Sequence, residues 1–398
     1  MNNLNIPRIC SASILNDTGD PNITFDESGT CSYVQKLRRN RAEWESSKDN
    51  FSLEFDRKIE RIKMLGKGAE FDCILGLSGG LDSSYVAYLA WKNGLRPLVV
   101  HMDNGWNSEL AVKNIENILR TTGFKFHNFV IDWEEFKSIQ IAYLRASVID
   151  IEVVTDHAIA AVVYDEARRR GIRSVLIGTN PYSEGLMPTG WTFPKLDLVN
   201  MNGIIERFGS IQKFESYPFM STFQRKKLMA LKRIEQVELL MNIDSRHATV
   251  IPILEREFNW KQYRWKHCES IFTSFYQGQL LPIKFEVDKR RAHLSDMVMS
   301  KQMTRSEALQ LIEEPYYETN EDEKSEFEFV CKKLDLTREE MNRILAQEPV
   351  PHAEYGVEKE SRVNQLVLNV CRFLGLIRTI PNRGLAEVRE VLLRRKLV

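Results

Sequence analysis

Residues 73 to 91 read Cys73-Ile74-Leu75-Gly76-Leu77-Ser78-Gly79-Gly80-Leu81-Asp82-Ser83-Ser84-Tyr85-Val86-Ala87-Tyr88-Leu89-Ala90-Trp91. The apolar run Cys73 to Leu77 has the length of a buried strand, and the stretch from Ser84 has helical composition. A glycine turn between the two gathers backbone N–H groups and the positive end of a helix dipole around one small space, which suits a phosphate. Gly79 and Gly80 lack a Cβ, so the chain there can take unusual dihedrals and approach phosphate oxygens closely. Ser78 and Ser83 add hydroxyl donors. Asp82 is the odd member, because a carboxylate beside a polyphosphate repels it unless it binds a cation or holds the loop by accepting N–H bonds. It makes magnesium an expected neighbour. No lysine follows the glycines as it does in G-x-x-x-x-G-K-[ST], which argues against transfer of a γ-phosphate. The plain alternative is a glycine turn before a helix capped by Asp or Ser.

From Phe71 to about Ile177 short apolar strands alternate with helical segments, the signature of a parallel α/β sheet. After Cys73 to Leu77 the strands are Pro97 to His101, Phe126 to Ile131 and Ser174 to Ile177. Helices fill 83 to 93, 108 to 121, 133 to 146 and 155 to 170, the second opening with a polar cap at Asn107-Ser108-Glu109. The hexapeptide Ser78 to Ser83 resembles the PP-loop of ATP pyrophosphatases, enzymes that split ATP into AMP and pyrophosphate while activating a carbonyl oxygen. The expected fold class is therefore α/β, with a parallel-sheet PP-loop core of the Rossmann-like, adenine nucleotide alpha hydrolase-like kind.

The 398 residues are enough for two or three domains. Fifty-five basic and 55 acidic residues leave a formal net charge of zero, so no global field draws the chain to nucleic acid or an anionic membrane. No apolar run approaches a membrane span, and the polar start Met1-Asn2-Asn3-Leu4-Asn5 has no signal-peptide core, which places the chain in the cytoplasm. The six cysteines, at 10, 31, 73, 268, 331 and 371, form no C-x-x-C pair and read as free thiols. Three segments follow: 1–50, polar; 51–222, the PP-loop domain; and 223–398, helix-patterned and rich in Lys, Arg and Glu. The acidic run Asn320 to Glu328 reads as a solvated face or a helix start.

In an open parallel sheet ligands bind beyond the carboxyl ends of the strands. That rule selects Ser78 to Ser83, then Met102-Asp103-Asn104-Gly105-Trp106, Asp132, and Gly178-Thr179-Asn180 with the long loop to about Met220. Asp103 is either a nucleotide contact or a turn residue bonding its own backbone. Asp156, in Thr155-Asp156-His157, is either a dipole partner at a helix start or a second cation ligand, whereas a lone helical histidine such as His157 is more often structural. Glu184 lies in the loop after the fourth strand.

Several further segments bring the chain close to one family. Asp20-Pro21-Asn22-Ile23-Thr24-Phe25-Asp26-Glu27-Ser28-Gly29, the PP-loop, Asp103-Asn104-Gly105-Trp106-Asn107, Thr155-Asp156-His157, Gly178-Thr179-Asn180-Pro181, Glu269-Ser270-Ile271-Phe272-Thr273 with Gln277, and Arg290-Arg291-Ala292-His293-Leu294-Ser295 with Met303-Thr304-Arg305 resemble the N-acetyl sugar amidotransferase family of the WbpG and PseA type. Members of that family open with two C-x-x-C pairs of zinc-knuckle spacing around the D-P-x-I-x-F segment. Here the pairs read Cys10-Ser11-Ala12-Ser13 and Cys31-Ser32-Tyr33-Val34, and two thiolates cannot close a tetrahedral zinc site. The departure puts the fold of the N-terminal segment in doubt, and no residue is assigned to a metal.

The resemblance implies ATP-dependent conversion of an acetamido group on a nucleotide-activated N-acetyl sugar into an acetamidino group, in bacterial surface-polysaccharide or flagellar-glycan synthesis. Adenylation turns the amide oxygen into a leaving group, and ammonia then displaces AMP. Ser78, Gly79, Gly80 and Ser83 would hold the departing pyrophosphate, with Asp82 organising the loop or its magnesium, and Asp103 and Gly178 beside the nucleotide. Asp156, Asn180, Glu184, Arg290, Arg291 and His293 are candidate sugar-nucleotide contacts, although a basic run is as readily a solvated helix face. Glu269, Thr273 and Gln277, at four-residue steps, would line one face of a helix. No cysteine sits in a recognisable glutaminase nucleophile turn, so ammonia is expected from a glutaminase and cyclase-like partner similar to the HisH and HisF pair. Two other readings stay open: a PP-loop enzyme that modifies tRNA, and a non-catalytic nucleotide-binding subunit.

Overall fold

Five strands, β1 (Cys73–Gly76), β2 (Pro97–Asp103), β3 (Lys125–Val130), β4 (Ser174–Ile177) and β5 (Glu235–Glu238), pair in parallel in the order β3-β2-β1-β4-β5. The structure is a computed structural model and describes residues 7–359. The parallel α/β core expected from the alternation is present. The reading of nearly all residues after about 223 as helix-patterned misses β5. Glu235-Gln236-Val237-Glu238 has a single apolar side chain, and it is a strand because the free edge of β4 pairs with it while Val237 packs into the core with Leu176 and Leu239.

Six helices frame this sheet and its approach: α1 (Ser32–Glu45), α2 (Phe51–Leu65), α3 (Leu81–Lys92), α4 (Glu109–Thr122), α5 (Trp133–Arg145) and α6 (Val153–Arg169). Successive strand residues point to opposite faces. Ile74, Leu98, Val100 and Val175 share one core with Phe136 and Ile139 of α5 and Ala158 and Val162 of α6. Leu75, Val99, Leu176 and Val237 share the other with Ile59 and Ile62 of α2, Val86 and Leu89 of α3, and Ile115 and Ile118 of α4. Both faces being covered explains why β1, β2 and β4 read as nearly unbroken apolar runs. The Ser108 hydroxyl accepts from the Ala111 amide and caps α4, as the polar start predicts.

The N-terminal segment is ordered without the missing thiols. Cys10, Ser13, Cys31 and Val34, the four positions of the incomplete pairs, are all buried, and the Cys31 amide donates to Cys10 Sγ at 3.2 Å. Helices near the other end of the chain hold the turn. Ser295 Oγ accepts from the Ile14 amide at 3.1 Å, Arg291 Nη1 donates to the Ile14 carbonyl at 3.1 Å, and Arg305 donates to the carbonyls of Ser13 at 2.8 Å and Cys10 at 3.0 Å. Among the described residues no three His, Cys, Asp or Glu side chains are grouped to hold a metal.

Further on, the helix Ile271–Phe275 passes into a π-helical turn, Tyr276–Leu280, and then into Leu281–Phe285. The acidic run is the start of the helix Asn320–Lys333, capped reciprocally by Thr319 and Asp322. Five described cysteines are free, while Cys371, like residues 1–6 and 360–398, lies outside the described residues. No described helix is long and apolar enough to cross a membrane.

Candidate active site

Order β3-β2-β1-β4-β5 makes the connections after β1 and β4 leave toward opposite faces, and the crevice between them is where such sheets bind ligands. The glycine loop lies there. Gly79 has φ +81°, and a Cβ on it would stand 2.8 Å from the Ala111 carbonyl oxygen, so the position is both left-handed and crowded. A Cβ on Gly80, the residue that opens α3, would stand 2.7 Å from Glu269 Oε1. Inside the loop the Gly80 amide donates to Ser78 Oγ at 3.2 Å, and the Ser78 and Ser83 hydroxyls are 3.1 Å apart. From outside, Trp260 Nε1 at 2.9 Å and Tyr263 Oη at 3.0 Å both donate to the Gly79 carbonyl, fixing that peptide plane. The first amides of α3, on Leu81, Asp82 and Ser83, have no acceptor within the helix and are left for a ligand.

Asp82 is held by residues remote in sequence. Its Oδ1 accepts from Asn180 Nδ2 at 2.7 Å and its Oδ2 from Lys266 Nζ at 3.1 Å. Lys266 also meets Glu184 Oε1 at 3.0 Å and Ser183 Oγ at 2.9 Å. Burial pulls the Lys266 ammonium toward neutrality, but Asp82 and Glu184 outweigh that and hold it firmly protonated. The lysine absent from the loop's sequence is thus supplied in space. Asp82 of the glycine loop and Glu184 of the loop after β4 meet at this one cation, and Asn180 joins the two carboxylates, its Nδ2 donating to Asp82 and its amide to Glu184. Asp82 therefore organises the loop through Lys266, and the carboxylate that stays beside the loop is Glu269, whose Oε1 accepts from Ser78 Oγ at 3.4 Å.

A cavity of about 360 Å³ runs from Ser78 past His101, Asn104 and Asn107 to Glu152, Asp156, Thr273, Gln277 and Lys289. His101 Nδ1 donates to the Leu77 carbonyl at 2.7 Å while its Nε2 accepts from Asn107 Nδ2 at 2.9 Å, which sets the tautomer and anchors the wall to β1. Asp103 resolves toward its turn reading: its Oδ1 accepts from the Gly105 amide at 2.9 Å, and Asn104 and Asn107 face the cavity instead. Gly178, the residue after β4, packs against the start of α3, where a Cβ would have ordinary contacts at 3.6 Å.

The far end of the cavity carries a charge cluster. Lys195 Nζ bridges Asp150 Oδ2 at 2.8 Å and Asp156 Oδ2 at 3.0 Å, so Asp156 is a wall residue paired to an amine. Lys289 lies over the Tyr276 ring at 5.6 Å, and burial, joined by the repulsion of Lys195, lowers its pKa against the attraction of Asp150. Glu152 is buried, with Oε2 accepting from Thr273 Oγ1 at 2.9 Å. Burial first, and the Asp156 charge second, push its carboxyl up to about 7. Glu152 Oε1 and Gln277 Nε2 are buried without any hydrogen-bond partner.

The basic run after residue 288 corrects the expectation placed on it. Arg290 is buried, pairs with Asp288 at 2.7 Å and donates to the Glu314 carbonyl at 2.7 Å, and Arg291 ties down Ile14. Neither lines the cavity, and His293 is half-buried and packs against the His267 ring at 5.5 Å. Lys289, next to them, is the cation that does line it. His157 is structural: its Nδ1 donates to the Lys195 carbonyl at 2.8 Å, and its Nε2 accepts from the Met220 amide at 3.0 Å. Glu269, Thr273 and Gln277 do share one cavity, but not one regular helix face. Glu269 precedes the helix, and Gln277 belongs to the π-helical turn. Lys266, Glu152, Trp260 and Tyr263 escaped the sequence reading. The only local signal was that Lys266 stands three residues before the Glu269 motif.

Residues 269–367 match the family model described as LPS biosynthesis protein WbpG-like, C-terminal domain, so the resemblance to WbpG-type proteins holds over that span. No curated protein matches the chain. Solved structures similar to it include the NH3-dependent NAD synthetase from Campylobacter jejuni in complex with the nitrate ion, at 17% identity over 52% of this chain and 93% of that one, with TM-score 0.29. The NMN synthetase from Francisella tularensis shares 14% identity over 57% of this chain and 92% of its own, with TM-score 0.27.

Proposed function

We propose that this protein is an ATP-dependent amidotransferase that converts an acetamido group of a nucleotide-activated sugar into an acetamidino group through an adenylated intermediate, in bacterial surface-glycan synthesis. The observation that carries the reading is the single cavity that joins the glycine loop at Ser78 to side chains of the WbpG-like segment, Glu269, Thr273, Gln277 and Lys289. One end suits phosphates and the other suits a polar, hydrogen-bonding substrate.

An amide carbonyl is a poor electrophile with a poor leaving group, and adenylation remedies both at once. The loop amides and the hydroxyls of Ser78 and Ser83 bind the pyrophosphate, while Lys266 neutralises Asp82 so that the loop does not repel it. Magnesium fits beside Glu269, because this ion takes one or two carboxylates together with substrate phosphates; it would offset charge on the leaving pyrophosphate. Lys289 and Lys195 suit the diphosphate or a carboxylate of the sugar nucleotide. No covalent protein nucleophile is required, and the site acts by positioning and charge.

Ammonia comes from a separate glutaminase with a cyclase-like partner. In support, burial raises the thiols of Cys73, Cys268 and Cys331, and Cys10, whose thiol the hydrogen bond with Cys31 lowers to about 5, is fully buried and does not line the cavity. The test is mass spectrometry of UDP-linked diacetamido sugars incubated with ATP and ammonium salt. Replacement of O by NH in the sugar, with AMP and pyrophosphate formed, is the expected result. No change with any diacetamido sugar overturns the assignment.

A further inference from the structure

Two buried polar atoms in the cavity wall have nothing to bond, and both belong to residues that no motif of the loop explains. Glu152 Oε1 and Gln277 Nε2 lack hydrogen-bond partners although Glu152 is only 9% exposed and Gln277 only 2%. An unsatisfied buried donor or acceptor is costly, and such groups persist where a ligand completes them. Here one is an acceptor and the other a donor, and both belong to residues that line one cavity.

The surroundings show that the pair is built. Thr273 Oγ1 holds the other oxygen of Glu152 at 2.9 Å, which fixes the carboxylate plane. Gln277 is placed by the π-helical turn Tyr276–Leu280, an irregularity that commonly marks functional sites. Thr273 and Gln277 lie on one continuous element, so the residue that orients Glu152 also sets the distance to Gln277.

We propose, resting on the amidotransferase reading above, that Glu152 and Gln277 clamp the substrate's secondary amide, Gln277 Nε2 donating to its carbonyl oxygen and Glu152 Oε1 accepting its N–H and then taking that proton. As the amide oxygen bonds to the α-phosphorus, pyrophosphate leaves with the electron pair of the broken phosphoanhydride bond. The amide proton passes to Glu152, and the nitrogen forms the C=N double bond of a neutral O-adenylyl imidate. When ammonia adds to that carbon, the sugar nitrogen regains its electron pair and takes the proton back. The freed carboxylate then accepts one proton of the ammonia nitrogen, and AMP departs with the C–O electron pair to leave an amidinium.

The groups facing Glu152 are Asp156 and Thr273, with Lys195, Lys289 and Asp150 around them. A carboxyl held at about 7 by burial and Asp156 can both take and return a proton near neutrality.

The experiment uses the full chain with a UDP-linked diacetamido sugar as probe, and reads sugar-dependent exchange of pyrophosphate into ATP together with sugar binding by calorimetry. Glu152→Gln keeps the bond from Thr273; it is expected to bind the sugar while losing exchange by roughly a hundredfold. Its residual rate should also lack the rise through pH 7 expected of the wild type. Gln277→Met should raise KM for the sugar roughly tenfold and leave KM for ATP unchanged. If Glu152→Gln melts early, Gln277→Met carries the test through its split between the two KM values. Wild-type protein without sugar-dependent exchange overturns the amidotransferase reading, and the clamp with it. Wild-type exchange that survives unchanged in both variants overturns the clamp alone.

Discussion

Lys266→Met removes the cation that Asp82 and Glu184 share, and the geometry sets how much should be lost. Lys266 Nζ stands 3.1 Å from Asp82 Oδ2 and 3.0 Å from Glu184 Oε1, with 16% of the lysine side chain and 15% of the Asp82 side chain exposed. At an effective dielectric of about 20 a contact of that length is worth about 5 kcal/mol of gross attraction, against which burial of the charges costs several kcal/mol. Taking one partner away leaves the other buried alone, at a cost of about 3–5 kcal/mol in unfolding free energy. The effect on ATP is separate. A phosphate about 6 Å from an unneutralised carboxylate meets about 3 kcal/mol of repulsion, which is roughly a hundredfold in affinity. Urea denaturation and ATP–pyrophosphate exchange read the two effects independently. The double variant Asp82→Asn, Lys266→Met removes the repelling charge and should recover most of the lost ATP affinity. A single variant with ATP KM within roughly twofold of wild type would refute the neutralising role, and so would a double variant no better than the single one.

Gly79→Ala should raise KM for ATP by at least roughly tenfold, since left-handed backbone costs an alanine about 1–2 kcal/mol before its Cβ meets the Ala111 carbonyl. Exchange kinetics check it, and a wild-type KM would show that the loop relaxes freely. His157 is fully buried, and burial pulls its pKa down to about 4. A histidine depressed from about 6.5 contributes stability that is complete above pH 6.5 and is lost as pH falls toward 4 and below. Thermal melting across that window should therefore fall more steeply for wild type than for His157→Gln, and parallel curves would contradict the assignment.

How far the site could be read from the sequence depended on whether a residue's meaning is local. Strand, glycine loop and α3 are contiguous, and the apolar run, the missing Cβ atoms and the dipole all act within twenty residues, so the loop was legible. β5 was not, because Glu235-Gln236-Val237-Glu238 carries no strand pattern and its pairing comes from the edge of β4. Lys266 was invisible for the same kind of reason: its partner Asp82 is 184 residues away. Asp82 itself gave the hint, since a carboxylate in a phosphate loop demands a cation, and the cation proved to be a side chain. Arg290 and Arg291 were misread because clustered arginines look alike whether they bind phosphate or carbonyl oxygens of their own chain. Glu152 had no signature at all; only its burial, the orphaned oxygen and the neighbouring Thr273 distinguish it.

The N-terminal turn is fastened to Arg305, 295 residues further along the chain from Cys10, and that separation has a consequence for synthesis. Closing a loop of that length costs about 5 kcal/mol of chain entropy, so the turn is poorly formed until the body of the protein exists to receive it. On a ribosome the wait is on the order of tens of seconds. Throughout it Ile14 and Leu15, fully buried in the finished protein, remain uncovered beside an unpaired Cys10. The turn is thus among the last parts of the fold to settle, and until Arg305 has been made this segment is open to aggregation and thiol oxidation.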